Sequence, residues 1–114
     1  LMKVAGHLLG PFEVESVLLE MTEIVESGVI SIADEAMMEA PMAFIVLKEG
    51  VQPDIKLEMK IRAHIRSRLT PYAVPKKIKF IEKLPKTTSG KILRRILKNI
   101  ELGIPIGDTS TLDE

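Results

Sequence analysis

The spacing of hydrophobic and polar positions changes several times along the chain, and each change predicts a different element. Met2 to Leu9 is a short, mostly apolar stretch around Gly6 and predicts a β-hairpin or bent strand. Gly10-Pro11 then opens a helix, because proline suits the first helical position, where its missing N–H is not needed. The apolar residues of this helix recur with the i, i+3, i+4, i+7 spacing of a buried face. They are Val14, Val17, Leu18 and Met21.

The middle of the chain predicts two strands. Ile24 to Ala33 forms the first, Asp34 to Pro41 a connection, and the apolar run from Ala43 to Leu47 a buried central strand. Because the connection is too short for a helical crossover, we expect these two strands to pair antiparallel.

Two further helices and another strand follow. Pro53-Asp54 begins the second helix, with Asp54 as its N-cap, and Thr70-Pro71 ends it. Lys77 to Ile81 alternates between charged and apolar residues, which is typical of a half-buried strand. Lys91 is expected where a polar loop joins the third helix. The apolar faces consist of Leu57, Ile61, Ile65 and Leu69 in the second helix and Ile92, Ile96, Leu97 and Ile100 in the third.

The predicted fold class is α+β. It has a small, largely antiparallel sheet of about three main strands plus a short N-terminal hairpin, flanked by three helices. Residues 1–102 would form this domain and residues 103–114 an irregular tail. A length of 114 residues suits one domain with a modest core.

Composition and charge narrow the function. The chain has no cysteine, which excludes disulfides and thiolate metal sites, and it has no apolar run of the roughly 18 residues that a membrane helix needs. We therefore predict a cytoplasmic protein without membrane contact. The net charge of zero hides a segregation: from Glu13 to Glu39 every charged residue is acidic, and from Lys76 to Lys98 the only acid is Glu82. The basic segment could attract phosphates, or the two segments could form complementary solvated faces.

Nucleic acid is disfavoured as a partner. Phe80 is the only aromatic residue between Lys76 and Lys98, so the basic segment lacks a platform on which bases could stack.

The segment from Leu84 to Arg95 carries the candidate chemistry. Pro85 stops a preceding strand, and Gly90 permits a tight turn or the close approach of another molecule. Hydroxyls that could bond nearby backbone and cap the coming helix are those of Thr87, Thr88 and Ser89. Lys91 suits contact with an anionic oxygen, and it also suits the role of a solvated surface lysine. A Walker phosphate loop is not matched, because Pro85 stands where a glycine is needed and no Ser or Thr follows Lys91.

Two motifs carry a family resemblance. Pro85 to Arg95, which reads Pro-Lys-Thr-Thr-Ser-Gly-Lys-Ile-Leu-Arg-Arg, resembles the last core motif of the AMP-forming acyl-CoA synthetases, which are adenylate-forming enzymes. Gly6 to Ser16 resembles the segment just after that family's domain hinge. The resemblance spans nearly the whole chain and implies the small C-terminal lid domain of such an enzyme. The hinge aspartate and a large N-terminal AMP-binding domain would then precede Leu1.

The end of the chain resembles one branch of this family. Arg95 to Lys98, Gly103 and the segment from Gly107 to Leu112 are similar to the end of the acetate-activating enzymes, the acetate–CoA ligases. The implied substrates are ATP, acetate and coenzyme A, with Mg²⁺ accompanying ATP and bound mainly by the N-terminal domain.

The resemblance also implies roles for individual residues. Lys91 would be the catalytic lysine of adenylation. Gly6, Ala5 and Arg66 would serve coenzyme A, with Gly6 leaving room for the pantetheine arm and Arg66 contacting phosphates. The loop that supports Lys91 would consist of Thr87, Thr88, Ser89 and Gly90.

Three positions depart from the acetate pattern. Leu8 stands where the family usually has an arginine that contacts the nucleotide phosphate, and Ala5 stands where a serine often contacts the coenzyme. Met21 replaces a histidine associated with a bound cation, so Leu19, Met21 and Ile24 could offer such a cation only backbone carbonyls. No metal site is therefore firmly predicted. The departures point to a divergent or non-acetate relative, or to an altered enzyme.

The resulting functional expectation is the mobile C-terminal domain of an acetate–CoA ligase that works through acetyl-adenylate and is inactive without its N-terminal domain. The alternatives are a propionate or other short- or medium-chain acyl-CoA ligase domain, and a non-catalytic phosphate- or partner-binding module. The implied partners are the N-terminal domain, the small-molecule substrates, and a lysine acetyltransferase and deacetylase acting on Lys91.

Overall fold

The computed structural model describes residues 1–104 and confirms the α+β class in that range. The strands are β1 (Met2–Val4), β2 (His7–Leu9), β3 (Ile24–Asp34), β4 (Met38–Leu47) and β5 (Lys77–Phe80). The helices are α1 (Pro11–Leu18), α2 (Ile55–Arg68) and α3 (Arg94–Leu102), with a 3₁₀ turn at Pro71–Ala73. None of the helices within residues 1–104 has both the length and the apolar character needed to span a bilayer.

The sheet is organised around β4. Along one edge, β4 pairs antiparallel with β3, which is an outer strand of the sheet. Along its other edge, β4 meets β1 through the pair Val4 and Met38, and then β5 from Met42 to Ile45. The β5 pairing is parallel, because α2 carries the chain back across the sheet between β4 and β5. The sheet is therefore largely antiparallel, as predicted, with one parallel pair.

The predicted connection from Asp34 to Pro41 is wrong. Strands β3 and β4 form one long hairpin whose turn covers only residues 35–37. The Asp34 carboxylate accepts a hydrogen bond from the Met37 N–H at 2.9 Å and holds this turn closed. Pro41 has no N–H to donate, but it pairs with Ser31 and its carbonyl accepts from the Lys76 N–H at 2.9 Å. Pro41 is therefore a residue of β4 that contacts the chain on both sides of the strand.

The sheet separates two apolar cores. Helices α1 and α2 cover one face, and the segment from Leu84 to Leu97 covers the other. The first core contains Val14, Val17, Leu18, Met21, Val29, Ile45, Leu57, Ile61 and Ile65 among others. The second contains Ile30, Met42, Phe44, Val46, Leu84 and Leu97. The predicted apolar stripes of α1 and α2 are thus confirmed as core.

Two boundaries differ from the sequence prediction. Helix α1 ends at Leu18, so Met21 is buried from the turn that follows the helix. Helix α3 begins at Arg94, so Ile92 packs from the preceding loop. Gly103 ends α3 with a left-handed φ of 72°. The predicted tail beyond Ile104 lies outside the described residues.

Candidate functional site

Lys91 lies inside a closed loop, and the prediction that it joins the loop to a helix is wrong. An isolated antiparallel bridge between Lys86 and Ile92 closes the base of the loop. Within it, the Thr87 N–H donates to the Lys91 carbonyl at 2.9 Å, and the Lys91 N–H donates to Thr87 Oγ1 at 3.1 Å. The backbone of Lys91 is therefore fixed from both its N–H and its carbonyl.

The tip of this loop is built from small polar residues. The Gly90 N–H donates to the Thr87 carbonyl at 3.0 Å, and Gly90 takes a φ of 93° that a residue with a side chain adopts only with strain. Thr87 Oγ1 and Ser89 Oγ lie 2.9 Å apart. These hydroxyls stabilise the loop, and no side chain caps α3, whose N-cap residue is Leu93. The prediction that they cap the helix is therefore wrong.

The charge of Lys91 has no partner in the described part of the chain. Its side chain is exposed and forms no ion pair within residues 1–104. Its neighbours differ, because Lys86 pairs with Glu26 and Arg94 pairs with Glu15. The loop thus presents one uncompensated ammonium group between two neutralised cations.

The segregated charges of the sequence meet across the fold. Three ion pairs join the acidic segment to the basic segment: Glu15 with Arg94, Glu26 with Lys86, and Asp34 with Lys76. The ion pairs support complementary charges for these residues, while attraction of phosphates by the basic segment stays a prediction. Part of the basic segment neutralises the acidic one, while Lys91 stays available to an external anion.

Gly6 lies at a second exposed turn, in the β1–β2 hairpin. Ala5 and Gly6 have φ values of 49° and 85°, the left-handed pair that a two-residue type I′ turn requires. The Ala5 N–H donates to the Met37 carbonyl at 3.0 Å and ties this turn to the tip of the β3–β4 hairpin. Nothing lies within 4 Å of where a Gly6 side chain would begin, so the surface there is open.

Sequence patterns do not predict the stacked pair of rings that lies beside this turn. The rings of His7 and Tyr72 stack with centroids 4.1 Å apart and an interplanar angle of 21°. The two residues are far apart in the chain, and no spacing rule links them. The contact joins the Gly6 turn to the 3₁₀ turn that follows α2.

Arg66 is exposed near the C-terminal end of α2. It borders a groove that Met59, Ala63 and Val74 help to line. Its neighbour Arg68 pairs with Glu20, but Arg66 forms no ion pair with any residue of the described range. The Arg66 guanidinium is therefore free to bind an anion from solution.

The Lys91 loop and the Gly6 turn do not form one site. The Lys91 loop packs over Gly28, whereas the Gly6 turn contacts Met37 beyond the other end of β3. Six residues of extended strand separate Gly28 from Asp34, which is about 20 Å at the usual rise of a strand. A small reacting group cannot contact both segments at once, so they would act in turn.

The residues of the possible cation site are close in sequence but differ in environment. The Met21 side chain is buried in the first core, and the Met21 carbonyl accepts from the Ile24 N–H at 3.2 Å. Leu19 is half-exposed. Within residues 1–104, no three His, Cys, Asp or Glu side chains are grouped so that they could hold a metal ion. The carbonyl site stays a prediction.

Leu8 is exposed on β2, where the family usually has an arginine. Its apolar side chain cannot donate to a phosphate, so the structure supplies no replacement contact at this position.

Glu20 is a carboxylate with a strongly lowered pKa, and it lies between Leu19 and Met21 of the possible cation site. Arg68 donates to both oxygens of Glu20, at 2.8 Å each, and His64 Nε2 lies 3.0 Å from Glu20 Oε1. The hydrogen bond from Arg68 holds the pKa of Glu20 at about 2, below its ordinary value of 4.5. This pair joins the turn after α1 to the end of α2 and has a structural role.

Comparison with known proteins gives one family and several relatives. The AMP-binding enzyme C-terminal domain family matches residues 13–91. An acetyl-coenzyme A synthetase of Pyrobaculum aerophilum is 47% identical over 98% of this chain and 17% of its own length. A 3-hydroxypropionyl-coenzyme A synthetase of Metallosphaera sedula is 38% identical over 99% of this chain and 17% of its own length.

Solved structures agree with the fold. The crystal structure of an acyl-CoA synthetase from Brucella canis superposes with a TM-score of 0.84 and 35% identity. The match covers 89% of this chain and 19% of that chain. The chain therefore corresponds to less than one fifth of the length of the proteins it resembles.

Proposed function

The chain belongs to the family of AMP-binding enzyme C-terminal domains, and from this premise we propose that it is the mobile C-terminal domain of an AMP-forming acetate–CoA ligase. The observation that carries the proposal is the 47% identity to an acetyl-coenzyme A synthetase over 98% of the chain. The rest of the enzyme would be a large N-terminal domain that holds ATP, Mg²⁺ and the acyl substrate. Because ATP and coenzyme A are abundant in the cytoplasm, we also place the enzyme there.

Lys91 would act in the first half-reaction. A carboxylate oxygen of acetate attacks the α-phosphorus of ATP, the bond to pyrophosphate breaks, and acetyl-adenylate forms. Two anions must be held together in this step, and a fixed cation lowers the cost. The exposed, unpaired ammonium of Lys91 on a hydrogen-bonded loop supports this role. Its loss would remove about 3 kcal/mol of transition-state stabilisation, or about a hundredfold in rate.

The Gly6 turn would act in the second half-reaction. The thiol sulfur of coenzyme A attacks the carbonyl carbon of the adenylate, and AMP leaves. Gly6 and Ala5 would line the path of the pantetheine arm, and Arg66 would bind the phosphates of the coenzyme. The Lys91 loop packs over Gly28 and the Gly6 turn contacts the hairpin beyond Asp34, and the roughly 20 Å of strand from Gly28 to Asp34 supports a rotation of the domain between the two steps. The rotation would withdraw Lys91 and bring Gly6 to the reaction centre.

A second candidate is a ligase for another short-chain acid. The 38% identity to a 3-hydroxypropionyl-coenzyme A synthetase favours it. The acyl pocket would lie in the N-terminal domain, so assay of the full-length protein with acetate, propionate and 3-hydroxypropionate separates the two candidates.

The full-length protein provides the decisive test. Wild type and Lys91→Ala are compared in acetate-dependent ATP–pyrophosphate exchange, and separately in thioester formation from supplied acetyl-adenylate. Lys83→Ala is the matched control, because Lys83 is another exposed lysine of the basic segment with no ion pair in the described range. We expect exchange to collapse only in Lys91→Ala while thioester formation survives. Unchanged exchange would make Lys91 a surface lysine and leave a non-catalytic binding module as the better description.

Acetylation of Lys91 would regulate the enzyme. The modification removes the charge that the first half-reaction needs, and the exposed side chain is accessible to a modifying enzyme. Mass spectrometry of the protein from its native cells should detect acetyl-Lys91, and treatment with a deacetylase should restore exchange. Failure to find the modified peptide under any growth condition contradicts this regulatory role.

A further inference from the structure

Glu15 is a buried carboxylate for which the proposed reaction has no role. It lies on α1 and is 5% exposed, although it carries a charge. A buried charge is costly unless hydrogen bonds and an opposite charge compensate it. The contacts of Glu15 therefore indicate what its burial achieves.

On one side, Glu15 is fixed to the edge of the sheet. The Val29 N–H donates to Glu15 Oε2 at 2.8 Å, and Ser27 Oγ donates to the Glu15 carbonyl at 3.0 Å. Both partners belong to β3, whose outer edge pairs with no other strand within residues 1–104. The carboxylate thus compensates a backbone donor of an outer strand and is itself held in one orientation.

On the other side, Glu15 holds Arg94. Arg94 Nη2 donates to both carboxylate oxygens, at 2.8 Å each. Arg94 Nε is buried and has no hydrogen-bond partner within residues 1–104, although the side chain as a whole is 39% exposed. Removal of the carboxylate charge would leave Glu15 without its ion pair and Arg94 without the contact that fixes its guanidinium.

Arg94 connects this contact to the Lys91 loop. It is the first residue of α3 and follows Lys91 by three positions. The residue between loop and helix, Leu93, donates its N–H to the Pro85 carbonyl at 2.9 Å and closes the loop base. The Leu93 bond and the Lys86–Glu26 pair hold the loop base, and the Glu15 pair adds a polar contact that links the start of α3 to α1.

We propose that Glu15 is a positioning residue for Lys91 and acts through Arg94. The carboxylate sets the height of the loop above β3 and thereby the place that the Lys91 ammonium occupies during adenylation. This inference rests on the proposed role of Lys91. It predicts that substitution of Glu15 harms the step that uses Lys91 and spares the step that uses the Gly6 turn.

The experiment uses the full-length enzyme and the two half-reactions separately. In Glu15→Gln the side chain keeps its shape but loses its charge, and it can no longer offer two oxygens to Arg94. We expect the maximal rate of ATP–pyrophosphate exchange to fall by about ten- to a hundredfold, the usual effect of displacing a catalytic group by around 1 Å. The KM for ATP and the rate of thioester formation from supplied acetyl-adenylate should stay unchanged.

Two further variants separate positioning from general stability. Glu20→Gln is the matched control, because Glu20 also accepts two hydrogen bonds of 2.8 Å from an arginine but joins the turn after α1 to α2. It should leave exchange unchanged. Arg94→Lys keeps a cation beside Glu15 and should retain more exchange activity than Arg94→Met. Thermal unfolding of every variant reports any loss of the fold.

Each outcome decides between the two proposals. Equal losses in both half-reactions, or no loss in exchange for Glu15→Gln and Arg94→Met, would overturn the positioning role while Lys91→Ala still abolished exchange. If Lys91→Ala itself left exchange intact, the proposed function would fail, and with it the premise of the positioning role.

Discussion

The α-carbon of Gly28 in β3 lies directly beneath Leu97 of α3. A β-carbon at Gly28 would be 3.0 Å from Leu97 Cδ1, which is closer than nearly all non-bonded contacts that β-carbons make in folded proteins. Leu97 is fully buried and has little room to move away. The absence of a side chain at Gly28 therefore allows the segment that carries Lys91 to pack against the sheet.

Gly28→Ala should lower the free energy of unfolding by about 1 kcal/mol, because the added methyl group overpacks the second core. A gain in backbone rigidity offsets part of this loss. Denaturant unfolding of the full-length enzyme measures the change. Gly10→Ala is the control, since its new β-carbon would meet no atom closer than Glu13 Oε1 at 3.4 Å and Leu1 Cδ2 at 3.5 Å, and its φ is −84°. Equal stability of the two variants would show that Leu97 yields without cost.

Gly6→Ala should slow thioester formation and leave adenylation unchanged, because the added methyl group would enter the proposed path of the pantetheine arm. Gly6 has a φ of 85°, so the substitution also strains the backbone. Gly50→Ala provides a matched control for that strain, with a φ of 89° and equally open surroundings. A similar loss of thioester formation in both variants would assign the effect to strain, and no loss at Gly6 would contradict its role.

Thr87→Val should slow adenylation by roughly three- to tenfold, the worth of about one hydrogen bond. The substitution removes the oxygen that accepts from the Lys91 N–H at 3.1 Å and lies beside Ser89 Oγ. Thr87→Ser keeps the hydroxyl and should retain most of the activity. Pyrophosphate exchange at saturating ATP measures both variants. Similar rates for valine and serine would mean that the backbone bonds alone hold the loop.

The Glu20–Arg68 pair should stabilise the domain in a defined pH range. Since the pKa of Glu20 is lowered to about 2, its contribution to stability is fully present above the unfolded value of 4.5 and is lost as the pH falls towards 2. The stability difference between wild type and Glu20→Gln should therefore shrink between pH 4.5 and 2, and added salt should reduce it at neutral pH. A difference that is constant down to pH 2 would contradict this.

The local pattern determined most of the elements. The helical spacing of the stripes in α1 and α2 and the N-cap at Asp54, which accepts from the Leu57 N–H at 2.9 Å, were readable because they depend on neighbours within one or two turns. The motif around Lys91 identified the family for the same reason, since its residues are contiguous. The prediction of a connection from Asp34 to Pro41 was wrong at Pro41, because a strand can include a proline whose carbonyl accepts a hydrogen bond and whose register is kept.

Only the tertiary structure decided how these pieces meet. The parallel pairing of β5, the stacking of His7 on Tyr72 and the burial of Glu15 against Arg94 all join residues that are distant in sequence, and no local spacing encodes them. Hydrogen bonds within residues 85–93 close the loop around Lys91, but its position on the sheet depends on packing over Gly28. The sequence by itself thus determined the elements and the chemistry of the motifs. Long-range packing and ion pairing decided their separation, and with it which cations stay free to act.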